Sequence, residues 1–317
     1  MMLRGIVSIL SMLAAALASG VAAPDGSPID AAPTAVVMDA NPERLPGHVP
    51  FLYDLFTFRK DGGGTIVIGA VAVPAGELRA ERVDGRYRYR FDVRFVLADT
   101  ARPSVFSIQD SVYVSVPGRL PSRHLLHTYV EAEAQPSSST VQRVIVTDAN
   151  RPGRGQLYTT QFVIPDYSGP ELMLSDIALG LPDAQGGWVR RGHTLALLPT
   201  SEFPESSFDL YYEIYNIPNG IPFETELAIE RLDDADSDDR VVRTMFSSES
   251  TAGEDDSLAE LRRVQSALPK GLYRLTITIR DGRGRTAARS RVVQVRGWRS
   301  GTTMVAAMPI RANERGS

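Results

Sequence analysis

A regular alternation of apolar and polar side chains runs through residues 208–217 and limits, more than any other feature, what this chain can fold into. The residues that share one side of an extended segment are Phe208, Leu210, Tyr212 and Ile214. Those that share the other side are Asp209, Tyr211, Glu213 and Tyr215. Because successive side chains of a β-strand point to opposite faces, the pattern predicts a strand with one face in a hydrophobic core.

The same alternation recurs along the chain between turns rich in Gly, Pro and Asp. In its clearest instance, residues 86–97, aromatic and aliphatic side chains alternate with arginines, and the preceding Asp84-Gly85 predicts a tight hairpin turn. Many short strands with regular turns and little helical periodicity are typical of β-sandwiches. The sequence therefore predicts an all-β protein of two consecutive antiparallel β-sandwich domains of the immunoglobulin or fibronectin-III type.

The domain layout follows from changes in composition and from a weak internal repeat. Residues 144–164 and 277–295 both read as a strand, a Gly/Arg turn and a second strand, which suggests two copies of one sandwich. One segment, 257–268, combines a helix-capping pattern with near-helical spacing of apolar residues, so helix and strand both remain open there. In chain order we expect a signal peptide (1–22), a flexible linker (23–50), a first sandwich (51–166), a second sandwich (171–296) and a loose C-terminal tail (297–317).

The N-terminal residues have the pattern of a secretory signal. Arg4 is followed by an apolar run over 6–17 and then by small residues, with cleavage expected after Ala22. The alternative is an uncleaved membrane anchor, but the run is shorter than the about 20 residues that span a bilayer. The chain has no cysteine, which excludes disulfides, thiolate metal sites and a cysteine nucleophile. We expect an extracytoplasmic protein, periplasmic or secreted, of bacterial type, with no transmembrane span after signal cleavage.

Three segments carry a family resemblance. They are Leu172–Leu179, Leu210–Ile217 and Leu268–Leu275. In this order they resemble the β-rich region of exported bacterial GWxTD-domain proteins, over roughly residues 51–295. The GWxTD motif itself is missing, since Gly297-Trp298 shares only its first two residues. The resemblance implies exported β-sandwich modules and transfers no catalytic residue.

An acidic segment near residue 234 is the candidate metal site. Asp234, Asp236 and Asp238 have the spacing that opens a calcium-binding loop. However, Asp239 stands where such a loop needs glycine, and Met245 where it needs a bidentate glutamate. A solvated connection between strands is the alternative.

Other candidate groups point to surfaces rather than to catalysis. Tyr211 and Tyr215 lie on the polar side of their strand and form a candidate interaction surface, for sugar stacking or protein binding, unless they pack against the neighbouring domain. His124 and His127 are predicted to point to opposite faces of a strand, as partly exposed residues that share no metal. The arginine row of 86–94 is expected to be a solvated face, with Glu77, Glu81 and Asp92 as partners.

No motif for nucleophilic catalysis, phosphate binding or a cofactor is present, so we predict no catalytic residue and no cofactor. The net charge of −4 argues against nucleic acid as a partner. We expect an exported non-catalytic protein that contacts an envelope protein. The alternatives are a carbohydrate- or glycan-binding module and a hydrolase with an unrecognised carboxylate pair.

Overall fold

A computed structural model describes residues 48–181, 187–199, 202–203, 207–233, 241–249, 256–265, 268–295 and 304–306. Within these ranges the chain is all-β, and its one helical element is a short 3-10 turn at Ala75–Glu77. Among the same residues, no helix is long and apolar enough to cross a membrane.

The first half of the chain forms two sheets that pack face to face. Its strands are β1 (Leu52–Arg59), β2 (Thr65–Pro74), β3 (Glu81–Val83), β4 (Arg86–Asp99), β5 (Ser104–Val116), β6 (Leu125–Ala134), β7 (Ser137–Asp148) and β8 (Gly155–Ile164). One sheet has β2 between β1 and β6, and the other places β4 between β5 and β7, with β8 beyond β7 and β3 beside one end of β4. Apolar side chains from both sheets, including Tyr89, Phe91 and Phe95, form the first core.

The second half forms another pair of sheets. Its strands are β9 (Met173–Leu174), β10 (Ala178–Leu181), β11 (Trp188–Arg190), β12 (His193–Leu197), β13 (Glu202–Phe203), β14 (Ser207–Tyr215), β15 (Pro222–Arg231), β16 (Val241–Glu249), β17 (Ser257–Gln265), β18 (Gly271–Asp281) and β19 (Thr286–Val295). The sheet orders are β11-β12-β10-β14-β17, with β9 also on β14, and β13-β19-β18-β15-β16. Phe208, Leu210, Tyr212 and Ile214 point into the core between them.

The predicted fold class is confirmed, together with several local features. Asp84 and Gly85 have the positive φ angles, 52° and 73°, of the expected tight turn between β3 and β4. The internal repeat corresponds to the hairpins β7–β8 and β18–β19. Each begins its turn with an aspartate that accepts main-chain bonds, Asp148 from Asn150 at 3.0 Å and Asp281 from Arg285 at 2.8 Å.

The segment with helical spacing, 257–268, contains a strand. Residues 257–265 form β17, which pairs with β14 along nine residues, Ser207↔Gln265 to Tyr215↔Ser257. Apolar residues occur on both faces of this strand: Leu258 and Val264 pack with the second core, and Leu261 packs against the apolar cluster that contains Tyr211. Tertiary pairing therefore overrides the local helical pattern.

The prediction of a loose C-terminal tail is wrong for three residues. Residues 304–306 form β20, which pairs in parallel with Leu125–His127 of β6 and so extends a sheet of the first domain. An open sheet edge offers unpaired main-chain groups to any extended segment that reaches it. Residues 304–306 thus lie beside the first sandwich.

Candidate functional site

Tyr211 and Tyr215 do not form an exposed platform, which corrects the prediction of an interaction surface there. Both side chains are fully buried, because the polar side of β14 faces the first domain rather than solvent. The alternative considered from sequence, packing against the neighbouring domain, is what the structure has. The candidate site must therefore be sought among the groups that these tyrosines contact and on the faces that remain exposed.

The two domains meet through an apolar cluster, which we call the inter-domain interface together with the polar groups around it. The first domain contributes Phe56, Phe58, Ile68 and Ala70, and the second contributes Ala178, Trp188, Leu195, Leu197 and Tyr211. The rings of Phe58, Trp188 and Tyr211 lie 5.1–5.7 Å apart. Trp188 Nε1 also donates to Glu131 across the interface at 2.7 Å.

Glu213 is the centre of the largest polar network in this interface. Its carboxylate is fully buried and accepts bonds from the hydroxyls of Tyr211 at 2.6 Å and Tyr215 at 2.9 Å. Arg190 binds it through Nε and Nη2, and Arg191 through Nε at 3.2 Å. The buried negative charge raises the pKa of both tyrosine hydroxyls beyond what burial alone does, so they remain donors.

The same network binds the main chain of the first domain. The Tyr215 hydroxyl accepts from the amide of Arg59 at 2.8 Å, and Arg190 Nη2 donates to the Arg59 carbonyl at 2.6 Å. The Arg59 guanidinium lies 4.6 Å from the centre of the Tyr215 ring. Glu213 therefore organises contacts that cross from one domain to the other.

Asp176 is a second carboxylate in the interface. One of its oxygens accepts from the amide and hydroxyl of Thr57 at 2.7 and 2.6 Å, and the other accepts from Arg289. The Thr57 hydroxyl is also within 2.8 Å of the Tyr167 hydroxyl. Burial raises the pKa of Tyr167, and the Asp176 carboxylate raises it further.

Asp54 and Arg291 form a third contact between the domains, and both are almost completely buried. Arg291 also donates to the Ile177 carbonyl at 2.9 Å and lies over the Phe56 ring. Burial raises the pKa of Asp54 to about 6, although the Arg291 charge opposes this shift.

These three carboxylates are brought together by the fold, and sequence reasoning missed all of them. Their partners are up to 237 positions away in the chain, so spacing carries no signal. The one available signal was the Tyr-Glu-Tyr alternation of β14, which is unusual for a solvated face. Each carboxylate is buried and bound by arginine, so the arrangement fixes the domains together and offers no accessible acid or base for catalysis.

The other candidate residues from the sequence are not assembled into a site. Asp234, Asp236 and Asp238 lie outside the described residues. His124 and His127 are buried rather than partly exposed, and only His127 belongs to β6. Burial lowers the pKa of His127 to about 4. Among the described residues, no group of three or more His, Asp or Glu side chains is placed to hold a metal ion.

The outer face of the β5-β4-β7-β8 sheet carries the arginine row. Tyr87 and Tyr89 point inward as expected, and the arginines on the outer face are Arg86, Arg88, Arg90 and Arg94 of β4 and Arg143 of β7. Of the expected cross-strand partners, Glu81 lies opposite Arg88 in the β3–β4 register, but no ion pair joins the arginine row to Glu77, Glu81 or Asp92 in the described chain. Asp92 instead accepts from the Ser111 hydroxyl at 2.6 Å, and the partner of Arg88 is Asp84 at 3.2 Å.

Most of this positive charge is therefore not neutralised within the described part of the chain. There, Arg86, Arg90, Arg94 and Arg143 make no ion pair with an acidic side chain, and all four are exposed. We call this surface the basic face. It is a strand face of fixed geometry, so its arginines are held at regular spacing on a rigid support.

Comparisons with known proteins add no family. No protein-family model matches the chain, and no curated protein does. One similar solved structure is red sea bream transglutaminase, at 11% identity and a TM-score of 0.21, with 76% of this chain and 31% of that chain covered. Another is a calcium-binding mutant of Bacteroides uniformis beta-glucuronidase 2, at 8% identity and a TM-score of 0.24, with 72% and 26% covered.

The chain thus spans less than a third of the length of either structure. TM-scores this low do not establish a shared fold, so neither enzyme's activity is transferred to this chain. The description of the fold as all-β sandwiches depends on the strand pairing described above.

Proposed function

We propose that this protein is an exported, non-catalytic β-sandwich protein that acts by contacting another protein at the cell envelope. The observation that carries the proposal is the basic face, where four exposed arginines lack an acidic partner within the described residues. Arginine is enriched at protein–protein interfaces and binds carboxylates in a bidentate manner. The signal-like N-terminus supports the extracytoplasmic location.

The inter-domain interface supports a binding role in a second way. It holds the two sandwiches in a defined arrangement through three buried ion-paired carboxylates and an aromatic cluster. A rigid support reduces the entropy lost when a surface binds a partner. Buried tyrosines cannot stack sugars, so the observation that favoured a glycan-binding module no longer supports it.

In-cell crosslinking tests the proposal. A photo-reactive phenylalanine analogue replaces Arg90 on the basic face, and the control carries it at Leu272, which is 37% exposed on the second domain. Mass spectrometry of the adducts should identify one envelope protein enriched from the Arg90 position over the Leu272 position. Recovery of no protein adduct from the basic face, or equal recovery from both positions, would contradict the proposal.

A further inference from the structure

Strand β5 lies at the edge of the sheet that carries the basic face. It pairs with β4 over 13 residues, from Tyr87↔Val116 to Asp99↔Ser104. Strands β3 and β7 occupy the opposite edge of β4. Within the described chain, no strand pairs with the outer edge of β5, so that edge presents a row of main-chain donors and acceptors.

This edge has few of the features that usually prevent another strand from adding to a sheet. Long edge strands are commonly protected by proline, lysine, a β-bulge or an inward-pointing charge. Of these, β5 has the last, in Asp110. Strand β5 contains no proline and no basic residue, and its register with β4 has no shift over its whole length. Its outward side chains Ser107, Gln109 and Ser111 are exposed and uncharged.

Two arginines of β4, Arg86 and Arg94, reach across the outer face to β5. Arg86 donates to the Ser115 hydroxyl at 3.0 Å and to its carbonyl at 2.8 Å, and Arg94 donates to the Ser107 hydroxyl at 3.3 Å. Adjacent strands lie about 4.8 Å apart, so these guanidinium groups are about one strand spacing from a segment that would pair with β5. Acidic side chains on the outer face of such a segment would meet them.

One charge in β5 argues against a second copy of this chain as the occupant. Asp110 is the middle residue of Ser104–Val116 and lies on the inward side with Ile108 and Val112. Full antiparallel pairing of β5 with β5 of a second copy would place Asp110 opposite Asp110. Like charges directly opposite each other destabilise a strand pair. The basic outer face would also be duplicated rather than neutralised.

We propose that an extended acidic segment of a partner protein adds as a further strand to the free edge of β5, with acidic side chains at alternate positions facing the arginines of β4. The inference rests on the proposed function and specifies how the partner is bound. Main-chain bonds would supply affinity, and the arginine row would select the charge pattern, as in other cases of strand addition. The inward positions of the segment would be uncharged, because they lie beside Asp110.

Peptide binding to the full-length protein tests the inference. The probe is a fluorescent synthetic peptide in which glutamate alternates with threonine, and the matched probe has glutamine in place of glutamate. Fluorescence anisotropy at low salt should show binding of the glutamate peptide and clearly weaker binding of the glutamine peptide, with the difference lost at high salt. Hydrogen exchange should slow in 104–116 and remain unchanged in 155–164, the strand at the other edge of the same sheet.

Charge reversal supplies the matched variants. Arg94→Glu should lower the affinity for the glutamate peptide by about tenfold, because an attraction becomes a repulsion beside the bound strand. Arg143→Glu makes the same change on the same face but on β7, away from β5, and should have an effect of less than about twofold. Thermal unfolding of both variants confirms that each is folded.

Several results would overturn the inference. Equal effects of the two reversals, or binding without slower exchange in 104–116, would show general attraction to the basic face instead of strand addition. Slow exchange of those amides in 104–116 that point away from β4, in the protein alone and at all concentrations, would show that the chain covers its own edge. Concentration-dependent protection with dimer formation would show that a second copy binds there.

Crosslinking separates this inference from the proposed function. If the analogue at Arg90 captures an envelope protein and the analogue at Gln109 does not, the proposed function stands and strand addition fails. If neither position captures a protein, both fail. Capture from Gln109 supports the inference only together with the peptide and exchange results.

Discussion

Replacement of Glu213 by glutamine tests the view that the buried network holds the two domains together. The substitution keeps the size of the side chain but removes its charge and one acceptor oxygen. Arg190, whose side chain is 11% exposed, would then have no carboxylate partner in the described chain, and the amide nitrogen would face donors. Removal of one partner from a buried ion pair costs about 3–5 kcal/mol.

The expected loss in the free energy of unfolding is at the lower end of that range. The remaining amide oxygen can still accept a hydrogen bond, and the tyrosine hydroxyls can rotate to accept from the amide nitrogen. A loss of about 3 kcal/mol corresponds to a decrease in melting temperature of roughly 6–12 °C for a chain of this size. Tryptophan fluorescence should report the opening of the inter-domain interface, since Trp188 lies in it. Circular dichroism follows the strands in the same sample.

The matched control is Glu133→Gln, the same substitution in an exposed ion pair with Lys60, where the glutamate is 65% exposed. Exposed pairs contribute about 0–1 kcal/mol, so its melting temperature should change by little. If Glu213→Gln and Glu133→Gln lower the melting temperature by similar amounts, the buried network does not stabilise the protein and the reasoning fails.

Three further predictions concern pH and processing. Burial raises the pKa of Asp54 from 3.8 to about 6. The contribution of Asp54 to stability is therefore complete below pH 4 and is lost as the pH rises through 6. Urea unfolding should show that the wild type loses about 3 kcal/mol relative to Asp54→Asn between pH 3.5 and 7. The pKa of His127 is lowered from 6.5 to about 4 by burial, so its contribution is present above pH 6.5 and is lost as the pH falls toward 4. NMR should show an uncharged imidazole at pH 5.5, and a titration midpoint near 6.5 would contradict the burial of His127 in the structure. Mass spectrometry of the protein exported from a bacterial host should show a mature N-terminus at Ala23, and Ala22→Lys should block the cleavage.

The fold could be predicted from the sequence because its signal is local. The two-residue period and the turn at Asp84-Gly85 depend on neighbouring residues only, and both were confirmed. Prediction failed where a second surface covers a strand. Strand β14 is buried on both faces, so the side of Tyr211 that the pattern marked as a possible interaction surface packs against the first domain. Strand β17 pairs along β14, which decides between the helix and the strand that the local pattern left open.

The interface network could not be predicted for a related reason. Arg291 and Asp54 lie 237 positions apart and are brought together only by the contact between the two sandwiches. Nothing in the composition distinguishes Arg291 from Arg90, although one is buried against a carboxylate and the other has no acidic partner in the described chain. Only the three-dimensional arrangement separates structural arginines from those available to a partner.

The inter-domain interface has a consequence for how this protein can be divided. A cut between residues 166 and 171 would separate the two sandwiches, and it would leave Phe58 and Trp188 facing water and Asp54 without Arg291. Neither half is therefore expected to behave as an independent domain. Truncated and chimaeric variants should keep residues 48–306 together, because β20 pairs with β6 of the first domain. A phenotype of either half alone would include the effect of the lost inter-domain interface.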